Sequence, residues 1–192
     1  MDRLLAKIDF ANAAVIVEFG IGNGCVTREI LRRMRPDARL ISLEINPAFV
    51  DVGRRIRDPR LSVRLSCASA LGDILRDEGI DRVDAVVSSL PLSIMREEIV
   101  DRILDVSRAS LSPDGRFHQY QYSLSQYHKL AHRYRNVGVG FTFRNAPPAF
   151  VYECTGASGG APGRVKLRHA MASVYAGTLA AAAMMIRAVQ GS

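Results

Sequence analysis

Apolar residues in this chain fall into short continuous runs, separated by stretches where they recur every three or four positions. The first run, residues 14–19 (AVIVEF), ends on glycines and predicts a strand buried on both faces. Val26, Ile30 and Met34 follow on one helix face, and Pro36 stops that helix. Residues 39–43 predict a second strand and residues 47–57 a second helix. Leu61–Leu65 predicts a third strand, with a short helix over Leu71–Asp77. Val83–Ser88 predicts a fourth strand, stopped by Pro91, and a helix follows over 94–109. A Pro113-Asp114-Gly115 turn introduces a fifth strand over 115–122. Residues 137–144 and 149–154 predict a closing strand pair, separated by Pro147-Pro148. Strands alternating with helices imply an α/β fold with a largely parallel sheet, whose ligand sits at the carboxyl ends of the strands.

Past the last strand the composition changes. Residues 155–165 are glycine-rich and predict a linker, and residues 166–190 predict a C-terminal apolar helix. The uncharged, alanine-rich stretch 170–186 is short for a membrane span, and alanine offers little membrane drive. Packing within the protein, a homo-oligomer contact and contact with a membrane all remain open for it. The expected division is a domain over 1–154, the linker, and that helix.

Hydrophobic residues make up 48% and charged residues 23%, which excludes a disordered chain or a coiled coil. The net charge is +7, and Lys7, Lys129 and Lys166 are the lysines, so arginine dominates. Guanidinium groups suit phosphate partners, and both nucleic acid and an anionic membrane fit, as does an ordinary solvated surface. Cys25, Cys67 and Cys154 are widely spaced, with no CxxC and no nearby histidine pair. No metal site and no disulfide framework is expected, which suits a reducing cytosol. The N-terminus lacks a signal-peptide pattern, so secretion is not expected.

Glu18-Phe19-Gly20-Ile21-Gly22-Asn23-Gly24 stands directly after the first strand. Glycines at alternate positions let the backbone bend sharply and approach a ligand without a Cβ in the way. The spacing is GxGxG, not the GxGxxG dinucleotide fingerprint. Glu44 ends the second strand, where an acid can accept both hydroxyls of a ribose. On these residues the sequence resembles the class I S-adenosylmethionine-dependent methyltransferases. The resemblance implies a Rossmann-like sheet, mostly parallel with an antiparallel C-terminal strand pair, and S-adenosyl-L-methionine as cofactor. It implies that Glu18, Gly20, Gly22 and Gly24 cradle the methionine end and the ribose, while Glu44 holds the ribose hydroxyls. Ile45, Cys67, Ala68 and Ser88 complete the expected cofactor set. One position departs: such enzymes often end the third strand in Gly-Asp-Ala, whereas this chain has Ser66-Cys67-Ala68. Adenine contact would then fall to backbone groups or Ser69. Asn46 either borders the adenine or caps the next helix.

The fourth strand ends Ser88-Ser89-Leu90-Pro91-Leu92. Nucleobase amino methyltransferases carry an Asn/Asp-Pro-Pro-Tyr-like motif here, with an aromatic that stacks on the base. Leu92 stands in that aromatic's place and is expected to wall an aliphatic substrate. This segment, Asn145-x-Pro147-Pro148-Ala149 and the run Gly115-Arg116-Phe117-His118-Gln119-Tyr120-Gln121-Tyr122 resemble the bacterial phospholipid N-methyltransferases. The resemblance implies an amine acceptor, above all the ethanolamine head group of a phospholipid. Ser88 and Ser89, or the backbone carbonyl of Ser89, are the expected acceptors of amine hydrogens. Tyr120 and Tyr122 share a strand face, either to hold a methylated ammonium by cation–π attraction or to pack in the core. His118 either takes the released proton or is held structurally.

Residues 124–135 mix His128, Lys129, His132, Arg133 and Arg135 with Tyr127, Leu130 and Tyr134. Read as a helix, this is a basic face suited to anionic head groups, or an ordinary solvated one. Arg133, Arg135 and Arg144 are the candidates for a lipid phosphate. Members of the resembled family carry a longer N-terminal segment than the 14 residues before Val15. The C-terminal helix or a partner subunit is expected to supply the membrane contact, with a cytoplasmic location peripheral to the inner membrane. Methylation of RNA adenine or of a small molecule, and a non-catalytic binding protein on the same scaffold, are the alternatives. Nucleic acid is the less favoured partner, because Leu92 offers no stacking face, although Tyr120 or Tyr122 could substitute for it.

Overall fold

The computed structural model describes residues 2–142 and 149–156. Its elements run α1 (Asp2–Leu5), β1 (Val15–Phe19), α2 (Cys25–Arg33), β2 (Arg39–Glu44), α3 (Pro47–Arg54) and β3 (Leu61–Leu65). They continue α4 (Leu71–Asp77), β4 (Val83–Ser88), α5 (Glu97–Ser110), β5 (Leu111–Gln121), α6 (Tyr127–Arg133), β6 (Asn136–Thr142) and β7 (Ala149–Thr155). Seven strands form one sheet in the order β3-β2-β1-β4-β5-β7-β6. β1 to β5 pair in parallel, while β7 is antiparallel to both β5 and β6. The expected α/β, Rossmann-like sheet with its antiparallel C-terminal pair is therefore present. The linker 155–165 and the helix 166–190 lie outside the described residues except for Thr155 and Gly156, as do Arg144 and Asn145 to Pro148.

Helices cover both faces of the sheet, which is why β1 and β2 read as unbroken apolar runs. Val17, Phe19, Ile41, Leu43, Val86 and Phe117 face α4 and α5 and bury Leu71, Leu75, Val100, Ile103 and Leu104. Ile16, Leu40, Ala85 and Val87 face α1 and α2 and bury Leu4, Leu5, Ile30 and Leu31. Burying one such side chain is worth roughly 1.5–3 kcal/mol, so these two layers dominate the stability.

Local chemistry sets the element ends. Asn46 caps α3: its side-chain oxygen accepts from Ala48 N at 3.0 Å, with Pro47 next in the chain. Arg60 closes the C-terminus of α2 by donating to the carbonyls of Leu31, Met34 and Arg35, while Asp58 holds its other side. Three boundaries differ from expectation. α3 stops at Arg54. α5 begins at Glu97, because a separate 3-10 turn occupies Leu92–Ile94. β5 begins at Leu111, with an irregularity opposite Val83 and Ala85 that absorbs the Pro113-Asp114 step.

Candidate functional site

β1 and β2 deliver two carboxylates and a glycine bend to the same sheet end. Gly20, Gly22 and Gly24 all adopt positive φ (84°, 53° and 75°), which only glycine does without strain. Ile21 anchors the bend from below; it is buried, and its Cδ1 lies 2.7 Å from where a Cβ on Gly53 would stand. A Cβ built on Gly22 meets nothing within 4 Å, so the loop opens onto free space there. Glu44 spans from β2 to this loop. Its Oε2 accepts from Gly22 N at 3.3 Å, and its Oε1 accepts from Ile45 N and Asn46 N, both at 2.9 Å.

Glu18 is completely buried under the start of α2. Its Oε2 accepts from Thr27 Oγ1 at 2.8 Å and from Ser42 Oγ at 2.6 Å. Its Oε1 has no partner among the described residues. Burial raises its pKa from the usual 4.5 to about 7; the two hydroxyls oppose that shift and the nearby charge of Glu44 adds to it. The two acids therefore lie within electrostatic reach of each other, beside a bend with open space. That arrangement fits S-adenosylmethionine: Glu44 for the ribose hydroxyls, the glycine backbone for close approach, and the orphaned Glu18 oxygen for the cationic methionine end.

The adenine side is built by the ends of β2 and β3. Ser66 N donates to the carbonyl of Glu44, which seats Cys67 and Ala68 next to the Glu44-Ile45 corner. Ile45 is 68% exposed there, a large apolar side chain without a cover. The Cys67 thiol accepts from Ser69 Oγ at 3.1 Å, so the expected adenine contacts Cys67 and Ser69 are already paired with each other. Asn46 caps α3 at this corner, as one of its two readings expects.

The carboxyl ends of β4 and β5 border a cavity of about 420 Å³, lined by Leu4, Val26, Ser89, Leu90, Pro91, Ser93, Tyr120, Gln121 and Tyr122. Ser89, Tyr120 and Tyr122 thus meet in one place. The tyrosine rings stand edge to face at 5.4 Å, with their hydroxyls 3.4 Å apart. Ser88 is fully buried in register with Phe19 and Gln119, and its Oγ accepts from Leu90 N at 3.4 Å. It shapes the turn rather than lining the cavity.

Three expectations are corrected, and one of the two readings of His118 falls away. Leu92 is 1% exposed in the core, and Leu90 walls the cavity instead, because the 3-10 turn rotates Leu92 inward. His118 lines a separate 270 Å³ cavity with Lys7 and Glu153. Desolvation lowers its pKa to about 4, too weak a base to take up a proton at neutral pH. The basic face of α6 is neutralised by α5: Lys129 pairs with Asp101, and Arg133 with Asp101 at 3.0 Å and Asp105 at 2.6 Å. Arg133 is thereby held as a strut between helices, not offered to a phosphate. Arg135 stands just before β6, which runs parallel to β5, so it lies at the sheet end opposite the cavity.

Inspection of the sequence missed the glutamines. Gln119, Gln121 and Gln126 are all buried, and each keeps an amide oxygen with no partner among the described residues. For Gln119 and Gln121, alternation along β5 with the tyrosines was the available signal.

Comparison with known proteins places these features in context. Residues 16–115 match the family described as a methyltransferase domain. An ornithine lipid N-methyltransferase from Singulisphaera acidiphila is 36% identical over 158 residues, covering 78% of this chain and 80% of that protein. A ribosomal RNA small subunit methyltransferase H from Thiobacillus denitrificans is 38% identical over 89 residues, 46% of this chain and 29% of that protein. Among solved structures, a precorrin-6y C5,15-methyltransferase from Geobacter metallireducens superposes with a TM-score of 0.62 at 17% identity, over 80% of this chain and 85% of that one. The last of these speaks to the fold alone.

Proposed function

Because this chain belongs to the S-adenosylmethionine-dependent methyltransferases, we propose that it methylates an amino group carried by a lipid head group. The observation that carries this reading is the 420 Å³ cavity at the ends of β4 and β5, next to the glycine bend. Its lining joins aliphatic side chains, Leu4, Val26 and Leu90, to Ser89 and the two tyrosines, Tyr120 and Tyr122. The similarity to an ornithine lipid enzyme over most of both chains supports a lipid amine. It makes an amino-acid-derived lipid the first acceptor to test, and an ethanolamine phospholipid the second.

S-adenosylmethionine, which Glu18, Glu44 and the glycine bend would hold, would supply a methyl on a sulfonium, open to in-line displacement by an amine lone pair. The chain's part is alignment and exclusion of water. An amine is an ammonium in bulk water, and partial desolvation in this cavity lowers its pKa and frees the lone pair. Ser89 can accept an amine hydrogen at the cavity wall. The faces of Tyr120 and Tyr122 attract the methylated cation by about 0.5–2 kcal/mol each.

The test is to incubate the protein with methyl-labelled S-adenosylmethionine and, separately, vesicles carrying ornithine lipid, vesicles carrying phosphatidylethanolamine, total RNA and small metabolites. Label in either vesicle fraction supports the reading. Label confined to RNA or metabolites overturns it.

A further inference from the structure

Positive charge without a partner collects where α2 and α3 meet. Residues 45–60 hold four arginines against two aspartates, and α2 holds three arginines against one glutamate. The carboxylates there are already taken: Asp51 pairs with Arg54, Asp58 with Arg60, and Glu29 with Arg32 and Arg33. Arg28, Arg55 and Arg57 are exposed and have no carboxylate partner among the described residues. Arg28 donates to a backbone carbonyl, that of Asn23, at 3.1 Å. A Cβ on Gly24 would stand 3.1 Å from Arg28 Nη1 and 3.2 Å from Ile56 Cδ1, so α2 and the turn after α3 meet at the glycine bend. Arg55 and Arg57 flank Ile56 in the chain. The cations of α6 make the contrast, since α5 neutralises them.

Apolar side chains share this face. Phe49, in the first turn of α3, is 41% exposed, and Leu65, at the end of β3, is 54% exposed. Val63, two residues before Leu65, comes within 3.1 Å of where a Cβ on Gly53 would stand, so Leu65 lies on the side of the sheet that carries α3. The patch also adjoins the acceptor cavity across the first turn of α2: Val26 lines the cavity, and Arg28 follows two residues later.

Exposed apolar groups among unpaired arginines suit a surface that lies on an anionic bilayer, where the apolar groups enter the head-group boundary and the guanidinium groups meet phosphates. A second copy of the chain would set these arginines against each other. A nucleic acid would use the arginines but gain little from an aliphatic Leu65. Resting on the lipid-amine reading above, we propose that this face, Phe49 and Leu65 with Arg28, Arg55 and Arg57, docks the protein on an anionic membrane surface. Docking there sets the Val26 wall of the acceptor cavity beside the lipid that carries the amine.

The experiment uses the full chain with vesicles of phosphatidylcholine, with and without phosphatidylglycerol. The chain has no tryptophan, so Phe49→Trp is a lone fluorescent reporter, and Asp77→Trp, at the end of α4 across the sheet, is its control. Emission from Phe49→Trp should shift to the blue on the vesicles with phosphatidylglycerol, and that from Asp77→Trp should not. The double variant Arg55→Gln, Arg57→Gln should bind those vesicles roughly thirtyfold more weakly, with thermal unfolding and S-adenosylmethionine affinity as in wild type. Vesicle binding that the double variant leaves unchanged, or that falls only in step with folded protein, overturns the proposal. An unmoved Phe49→Trp emission overturns it too, as does an effect of the two arginines on RNA binding alone. Docking is read without turnover, so a wild type that docks through this face yet labels only RNA or metabolites overturns the lipid-amine reading and leaves the docking surface standing.

Discussion

At the scale of single residues, the site is defined by groups held against their own stability. Glu18 is one. Its folded pKa of about 7 lies above its usual 4.5, so between these values the folded protein holds a proton that the unfolded chain has released. Its contribution is therefore fully present below about pH 4.5, is lost as pH rises, and is gone above about pH 7. Glu18→Gln should raise stability at pH 8 by up to about 3 kcal/mol, read by denaturant unfolding, while weakening S-adenosylmethionine binding. His118 acts in the opposite sense: with a folded pKa of about 4, its contribution is present above its usual 6.5 and is lost as pH falls toward 4. Glycines supply a second residue-scale test. Gly22 and Gly79 both have positive φ (53° and 65°) and open space where a Cβ would go. Gly22→Ala and Gly79→Ala should each cost about 1 kcal/mol in unfolding experiments, but only Gly22→Ala should weaken cofactor binding by calorimetry. Glu44→Ala should abolish measurable cofactor binding, since its carboxylate bridges the loop and the end of β2.

At the scale of elements, the strands were legible because burial on both faces forces unbroken apolar runs, as in β1 and β2. Helix ends were less so. The apolar spacing predicts a helix from residue 94, but a 3-10 turn occupies Leu92–Ile94 and α5 begins at Glu97. α6 shows the limit most clearly. Its basic residues suggested a head-group surface, but their partners Asp101 and Asp105 lie on α5, distant in sequence and brought close only by packing. Arg133→Ala should cost about 1 kcal/mol in thermal or denaturant unfolding and leave kcat/KM for the lipid acceptor unchanged. A fall in vesicle affinity without loss of stability would return Arg133 to the lipid surface.

At the scale of the whole molecule, the sheet order brings distant segments to one end. β1 lies between β2 and β4, so the glycine bend sits beside Glu44 on one side and the Ser88-Ser89 turn on the other. That crossover gives a cofactor side and an acceptor side, and the GxGxG spacing with Glu44 made the first readable from sequence. The acceptor side was readable only in part. Tyr120 and Tyr122 were visible through strand alternation, whereas the wall role of Leu90 and the burial of Leu92 depend on a local turn that no spacing rule reveals. Among the described residues no helix is long and apolar enough to cross a membrane. Tyr122, which borders the acceptor cavity, is 58% exposed.

The most direct test of the account is to locate the transferred methyl. Lipid recovered after reaction with methyl-labelled S-adenosylmethionine should show, on fragmentation in the mass spectrometer, the new methyl on the head-group nitrogen. A methyl found on an oxygen or carbon, or no methylated lipid beside a methylated RNA, would contradict it.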